Sequence, residues 1–117
     1  MNREIKFRAY YGGMYTVTEW NLKANILQLT DGDGNVIVEP IKNVDVMQYT
    51  GLKDKNGKEI YEGDIVMMEG RYPATVEYSD YGYVGTHNGG DVNLTTFLDE
   101  HEIIGNIYEN PELIKQP

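Results

Sequence analysis

At 117 residues the chain is long enough for one ordinary domain or two small lobes, and 10 basic against 19 acidic side chains leave a net charge of −9. That balance lacks the cationic footprint that neutralises phosphates, so it disfavours nucleic-acid binding and fits either solubility by self-repulsion or an acidic face for a basic partner. The absence of cysteine excludes disulfides and thiolate metal sites, and no apolar run reaches the length of a membrane span or signal-peptide core, so a soluble chain in a reducing cytoplasm is expected.

Apolar residues recur mainly at period two between regularly spaced turn signals, the pattern of an all-β sandwich or barrel. Ile5, Phe7 and Ala9 alternate with Lys6, Arg8 and Tyr10. Gly12-Gly13 then turns the chain into Met14–Val17, a predicted hairpin whose two glycines would both supply positive φ. Trp20–Lys23 reads as a connector. Ile26–Thr30 and Asn35–Val38 form the clearest hairpin, around Asp31-Gly32-Asp33-Gly34, and Pro40 ends it or holds it at an edge. Val44–Tyr49 is the next strand.

The run from Met47 to Val66 follows, with a polar turn at Asp54–Gly57 and a corner at Gly63-Asp64. Glycine can turn the chain through positive φ there, and the Asp64 carboxylate can hold the turn's N–H groups. Five strands are predicted beyond it: Asp64–Met68, Ala74–Tyr78, Tyr81–Thr86, Val92–Phe97 and Glu102–Tyr108. The fourth could shorten, leaving Thr95–Glu100 as a helical turn. Gly105 and Asn106 interrupt the last, which suggests a bulge or a close backbone approach. Asn110 as N-cap and Pro111 at the first position predict one short terminal helix. The expected architecture is mostly β, with a hairpin-rich lobe over 1–50, a small barrel over 51–117, and at most short helices.

Three stretches resemble the YopX family of small phage and prophage proteins: Ile5–Tyr10 with Met14, the run Met47–Val66, and the tail Glu102–Leu113. Tyr10 stands where such openings usually carry tryptophan. The resemblance implies an SH3-like barrel in the C-terminal half. It implies no catalytic or binding residues.

No catalytic constellation, metal cluster or cofactor motif stands out. Asp31–Asn35 alternates acidic oxygens, but an EF-hand loop needs glycine and glutamate where Val36 and Lys42 stand, so a hairpin turn is the better reading. Asp54–Lys58 reads as a solvated turn. His87 lies in a polar loop, and His101 sits among Asp99, Glu100 and Glu102, which favours a protonated imidazole. These two are the only basis for a small hydrolase or metal site. The best binding feature is Tyr72, Tyr78, Tyr81 and Tyr83, able to line a peptide groove or to stack on bases. The expectation is therefore a non-catalytic, cytoplasmic accessory protein of a bacterial host, without cofactor or membrane. It would act on an unidentified protein partner and could associate with its own copies.

Overall fold

β-Branched and aromatic residues in alternation build eleven strands among the described residues, linked by turns and three short 3-10 segments. The computed structural model describes residues 5–80, 82–88 and 90–114. Contacts divide the chain into two compact units, Met1–Gln48 and Tyr49–Pro117.

The first unit is an antiparallel sheet of β1 (Phe7–Tyr10), β2 (Met14–Asn21), β3 (Ile26–Thr30), β4 (Val36–Pro40) and the start of β5 (Asp45–Lys53), in the order β4-β3-β2-β1-β5. Leu27 and Leu29 alternate with polar neighbours and are wholly buried with Ala9, under Tyr15, Val17, Trp20, Ile37 and Val46. Each such leucine contributes about 1.5–3 kcal/mol through removal of apolar surface from water. In the opening turn only Gly12 has positive φ, at 66°, and the Tyr11 N–H donates to the Gly13 carbonyl at 2.9 Å. One left-handed residue suffices, so the expectation of two is corrected. Trp20 is no connector: β2 continues past a bulge between Val17 and Glu19, and the indole packs edge-on against Phe7 at 5.1 Å.

At the β3–β4 turn, Asp31 Oδ1 accepts the N–H groups of Asp33 (2.9 Å) and Asn35 (2.8 Å), and Oδ2 accepts Asn35 Nδ2 at 3.0 Å. The Asn35 side chain, then its backbone, holds this carboxyl below its ordinary value. Its oxygens serve the turn's own donors. Pro40 closes β4, which forms the edge of the sheet.

In the second unit the end of β5 pairs with β6 (Glu59–Tyr61). A five-stranded antiparallel sheet follows, made of β7 (Asp64–Met68), β8 (Tyr72–Ser79), β9 (Gly82–His87), β10 (Gly90–Asn93) and β11 (Glu102–Asn106). Its order is β10-β9-β8-β7-β11. Ile60, Val66, Met68, Ala74, Val76 and Leu94 form the core. The fold is mostly β with two antiparallel sheets and no closed barrel, because β10 and β11 remain edges. The reason is local. The strand predicted to reach Phe97 stops at Asn93, whose Oδ1 accepts both the N–H (2.9 Å) and the hydroxyl (2.7 Å) of Thr95. Local turns then run into a 3-10 segment at Leu98–Glu100, which offers no ladder. The terminal segment is likewise 3-10, Pro111–Ile114, and Asn110 Oδ1 accepts the Asn106 N–H at 3.2 Å.

The Gly63-Asp64 corner joins three parts of this unit. Gly63 has φ 85°, its N–H donates to Val76, and its carbonyl accepts the Ile107 N–H. Asp64, 2% exposed, accepts the Tyr61 N–H at 2.8 Å. A β-branched residue is strained at such φ, so Gly63→Val should destabilise by roughly 1–3 kcal/mol. Urea unfolding measures this, and an unshifted midpoint would show that the corner tolerates a side chain.

Candidate functional site

The tyrosines do not make one platform. Tyr72 and Tyr78 share a face of β8 but stand six residues apart, roughly 20 Å along a strand. Tyr78, 67% exposed, meets Tyr83 edge-on at 5.0 Å, while Tyr72 packs against the His87 ring at 4.6 Å. Tyr72 and Tyr83 also lean on the core. Tyr81 lies outside the described residues. Two separate pairs result, and of the three described tyrosines only Tyr78 presents a largely open ring.

Each histidine is held at both ring nitrogens. His87 Nδ1 lies 3.0 Å from the Pro73 carbonyl, and its Nε2 lies 3.0 Å from Asn88 Nδ2. The nitrogen facing a carbonyl must donate and the one facing an amide NH₂ must accept, which selects the Nδ1–H tautomer. His101 is wholly buried. Its Nδ1 accepts the Glu69 N–H at 3.1 Å, and its Nε2 donates to the Thr96 carbonyl at 2.8 Å. The expected protonated imidazole is therefore corrected: an accepting Nδ1 carries no proton. Its acidic neighbours in sequence are not what the ring touches. No group of three or more His, Asp or Glu side chains among the described residues is placed to hold a metal ion.

Gly105 and Asn106 serve the C-terminal turn. A register shift separates Ile103 from Gly105, and a Cβ on Gly105 would stand 2.5 Å from Asn110 Oδ1. Asn106 Oδ1 accepts the N–H groups of Tyr108 (3.0 Å) and Glu109 (2.9 Å), while its Nδ2 donates to Glu109 Oε1 at 2.8 Å. These contacts are internal to the unit.

A different feature of the second unit has the character of a site. Lys53, Asp54 and Lys55 on one side and Thr95, Phe97, Leu98 and Asp99 on the other line an open groove of about 560 Å³. Phe97 is 57% exposed and takes a left-handed conformation, φ 53° and ψ 38°. For a bulky residue this is a true outlier and costs on the order of 1–3 kcal/mol. An exposed phenyl recovers little of that through packing. Leu98 beside it leans on the core.

Both walls are fastened to the start of β11. His101 holds the Thr96 carbonyl, and its own carbonyl accepts the Lys55 N–H at 2.9 Å. Asp54, 6% exposed, accepts the Asn56 and Lys58 N–H groups on Oδ1, each at 2.9 Å, and the Ile103 N–H on Oδ2 at 3.0 Å. Burial pushes this carboxyl up, but the bonds from Ile103, Lys58 and Asn56, with the Lys58 charge, outweigh it and hold it below its ordinary value. The solvated turn expected here is thus corrected at Asp54. Lys55 pairs with Glu102 at 3.5 Å, an exposed contact of small energetic weight. Sequence reading missed Phe97 as an exposed, left-handed residue. The shorter fourth strand, with a helical turn over Thr95–Glu100, is the alternative that the structure supports.

Residues 6–115 match the family model described as YopX protein. Among solved structures, the crystal structure of protein EF1440 from Enterococcus faecalis is similar, with a TM-score of 0.69 and 27% identity. The likeness covers 97% of this chain and 100% of that one. No curated protein matches the chain. No helix among the described residues is long and apolar enough to cross a membrane.

Proposed function

This chain belongs to the YopX family, and on that premise we propose that it is a non-catalytic accessory protein of phage or prophage type. It acts in the cytoplasm of a bacterial host by docking another protein in the Phe97 groove. The observation that carries the reading is Phe97 itself: a phenyl ring held exposed at the cost of backbone strain, lining a groove whose neighbouring backbone is held by the bonds of Asp54 and His101. Strain of this kind persists only where the surroundings enforce it, and it concentrates at ligand clamps and switch regions. Exposed aromatic rings beside a concave surface are the usual anchors of protein interfaces.

Lys53 and Lys55 against Asp54 and Asp99 leave the groove's charge close to balanced, so apolar contact leads and charge sets orientation. The partner's matching feature is an extended segment with an apolar side chain for Phe97. Tyr78, with Tyr83 behind it, supplies a second contact on the same unit. The return of β11 to pair with β7 supports reading this unit as a partly open SH3-like barrel.

Affinity capture from bacterial lysate, with and without nuclease, tests the proposal when wild type is compared with Phe97→Gly. Glycine relieves the left-handed strain, so the variant should be as stable as wild type or up to about 1 kcal/mol more stable. It should still lose the captured protein. Equal capture by both proteins removes the groove from the mechanism. Capture that vanishes with nuclease moves the function to nucleic acid.

A further inference from the structure

β4 forms the edge of the first unit's sheet. The Asp31 N–H donates to the Asn35 carbonyl and the Ile41 N–H to the Asn25 carbonyl, which fixes the odd-numbered residues of β4 as those bonded to β3. The backbone N–H and C=O groups of Val36 and Val38 therefore point away from the sheet. Among the described residues no other strand pairs there. The same two residues are 54% and 59% exposed. Natural edges are usually blunted by a charge, a proline or a bulge within the strand. Here Glu39 and Pro40 stand together at the end of β4, and the stretch before them, Val36-Ile37-Val38, carries no charge, proline or bulge.

We propose that a second copy of this chain adds to β4, antiparallel about a two-fold axis at Ile37. In that register Val36 lies opposite Val38 of the second copy, and Val38 opposite Val36. Both are outward-bonding positions, so each pair exchanges two N–H···O=C bonds. All the outward donors between Asn35 and Pro40 are used. The pairing stops where Pro40, which has no N–H, meets Gly34 of the second copy, whose φ of 88° takes the chain out of the strand. Directly opposed residues share a face, so the four exposed valines close over one another.

Charge favours this arrangement over an unrelated strand. The register lays the Ile41–Asn43 turn, carrying Lys42, alongside the Asp31–Asn35 turn of the second copy, carrying Asp31 and Asp33. Glu39 falls opposite neutral Asn35. Opposite charges thus meet twice about the axis, and no like charges are opposed. A strand of unrelated sequence would satisfy the backbone without matching these ends.

Sedimentation velocity across the micromolar range tests the proposal, together with amide hydrogen exchange read at single residues. A dimer is expected, with the Val36 and Val38 amides more protected as concentration rises. Val38→Lys places a charge at an exposed position that leaves the β3 ladder intact, and it should weaken association at least about tenfold. Lys42→Glu should weaken it too, and the added change Asp33→Lys should restore it by exchanging the charges. A chain monomeric throughout, or a dimer untouched by Val38→Lys, overturns the proposal. Protection of these amides only when a different protein is bound also overturns it, because the edge then serves another chain.

Discussion

Asp54→Ala is expected to destabilise the second unit by roughly 2–4 kcal/mol, because one buried carboxylate accepts three backbone N–H groups at once. Two of those bonds shape the turn Asp54–Lys58; the third ties the turn to β11. Loss of the side chain orphans the Ile103 donor and frees the wall that carries Lys53 and Lys55. The effect depends on pH in a definite sense. The folded carboxyl titrates below its unfolded value of about 3.9, so its contribution is fully present above that pH. It is lost as pH falls through the folded value, because protonation consumes the oxygen lone pairs that the N–H groups need. Asp54→Asn separates charge from shape: its amide NH₂ would face backbone donors. The stability gap between wild type and Asp54→Asn, measured by urea unfolding, should be widest near neutrality and narrow below about pH 4. A gap unchanged down to pH 3 would mean that the carboxylate charge contributes nothing.

What the sequence disclosed and what it hid follow from how each feature is encoded. Ile26–Thr30 and Asp64–Met68 were legible to the residue, since alternation or an apolar run stood between strong turn residues. The Gly63-Asp64 corner was legible because its partner Tyr61 lies three residues away. Asp54 looked like any solvated turn residue because the bond that matters reaches Ile103, 49 positions on, and a backbone N–H leaves no mark in sequence. The tyrosines misled for the same reason. Their spacing on paper suggested a cluster, but β8 carries Tyr72 and Tyr78 to opposite ends of the strand, beside different partners on β9. Phe97 was hidden by its own character. A phenylalanine after two threonines has every propensity for a strand, and the bonds that flank its left-handed conformation, from Asn93 to Thr95 and from His101 to Thr96, leave no mark in a strand pattern.

His101 is where stability and the groove are joined. The ring fills a wholly buried position and bridges two chain segments, the Glu69 N–H at one nitrogen and the Thr96 carbonyl at the other. Glu69 is itself left-handed, φ 53°, so the ring also compensates a strained turn between β7 and β8. His101→Ala leaves a cavity, an orphaned donor and an orphaned acceptor, and the expected loss is roughly 3–5 kcal/mol by urea unfolding. His101→Phe distinguishes the two parts. It restores the volume and not the bonds, so it should recover some stability while the Thr96 carbonyl stays unheld. If the bond to Thr96 is what forces Phe97 outward, the Phe97 ring in this variant should turn inward, read as new contacts in its NMR spectrum, and protein capture should fall although the unit remains folded. An unmoved Phe97 ring would mean that the turn from Asn93 alone sets the groove, with His101 a purely internal brace.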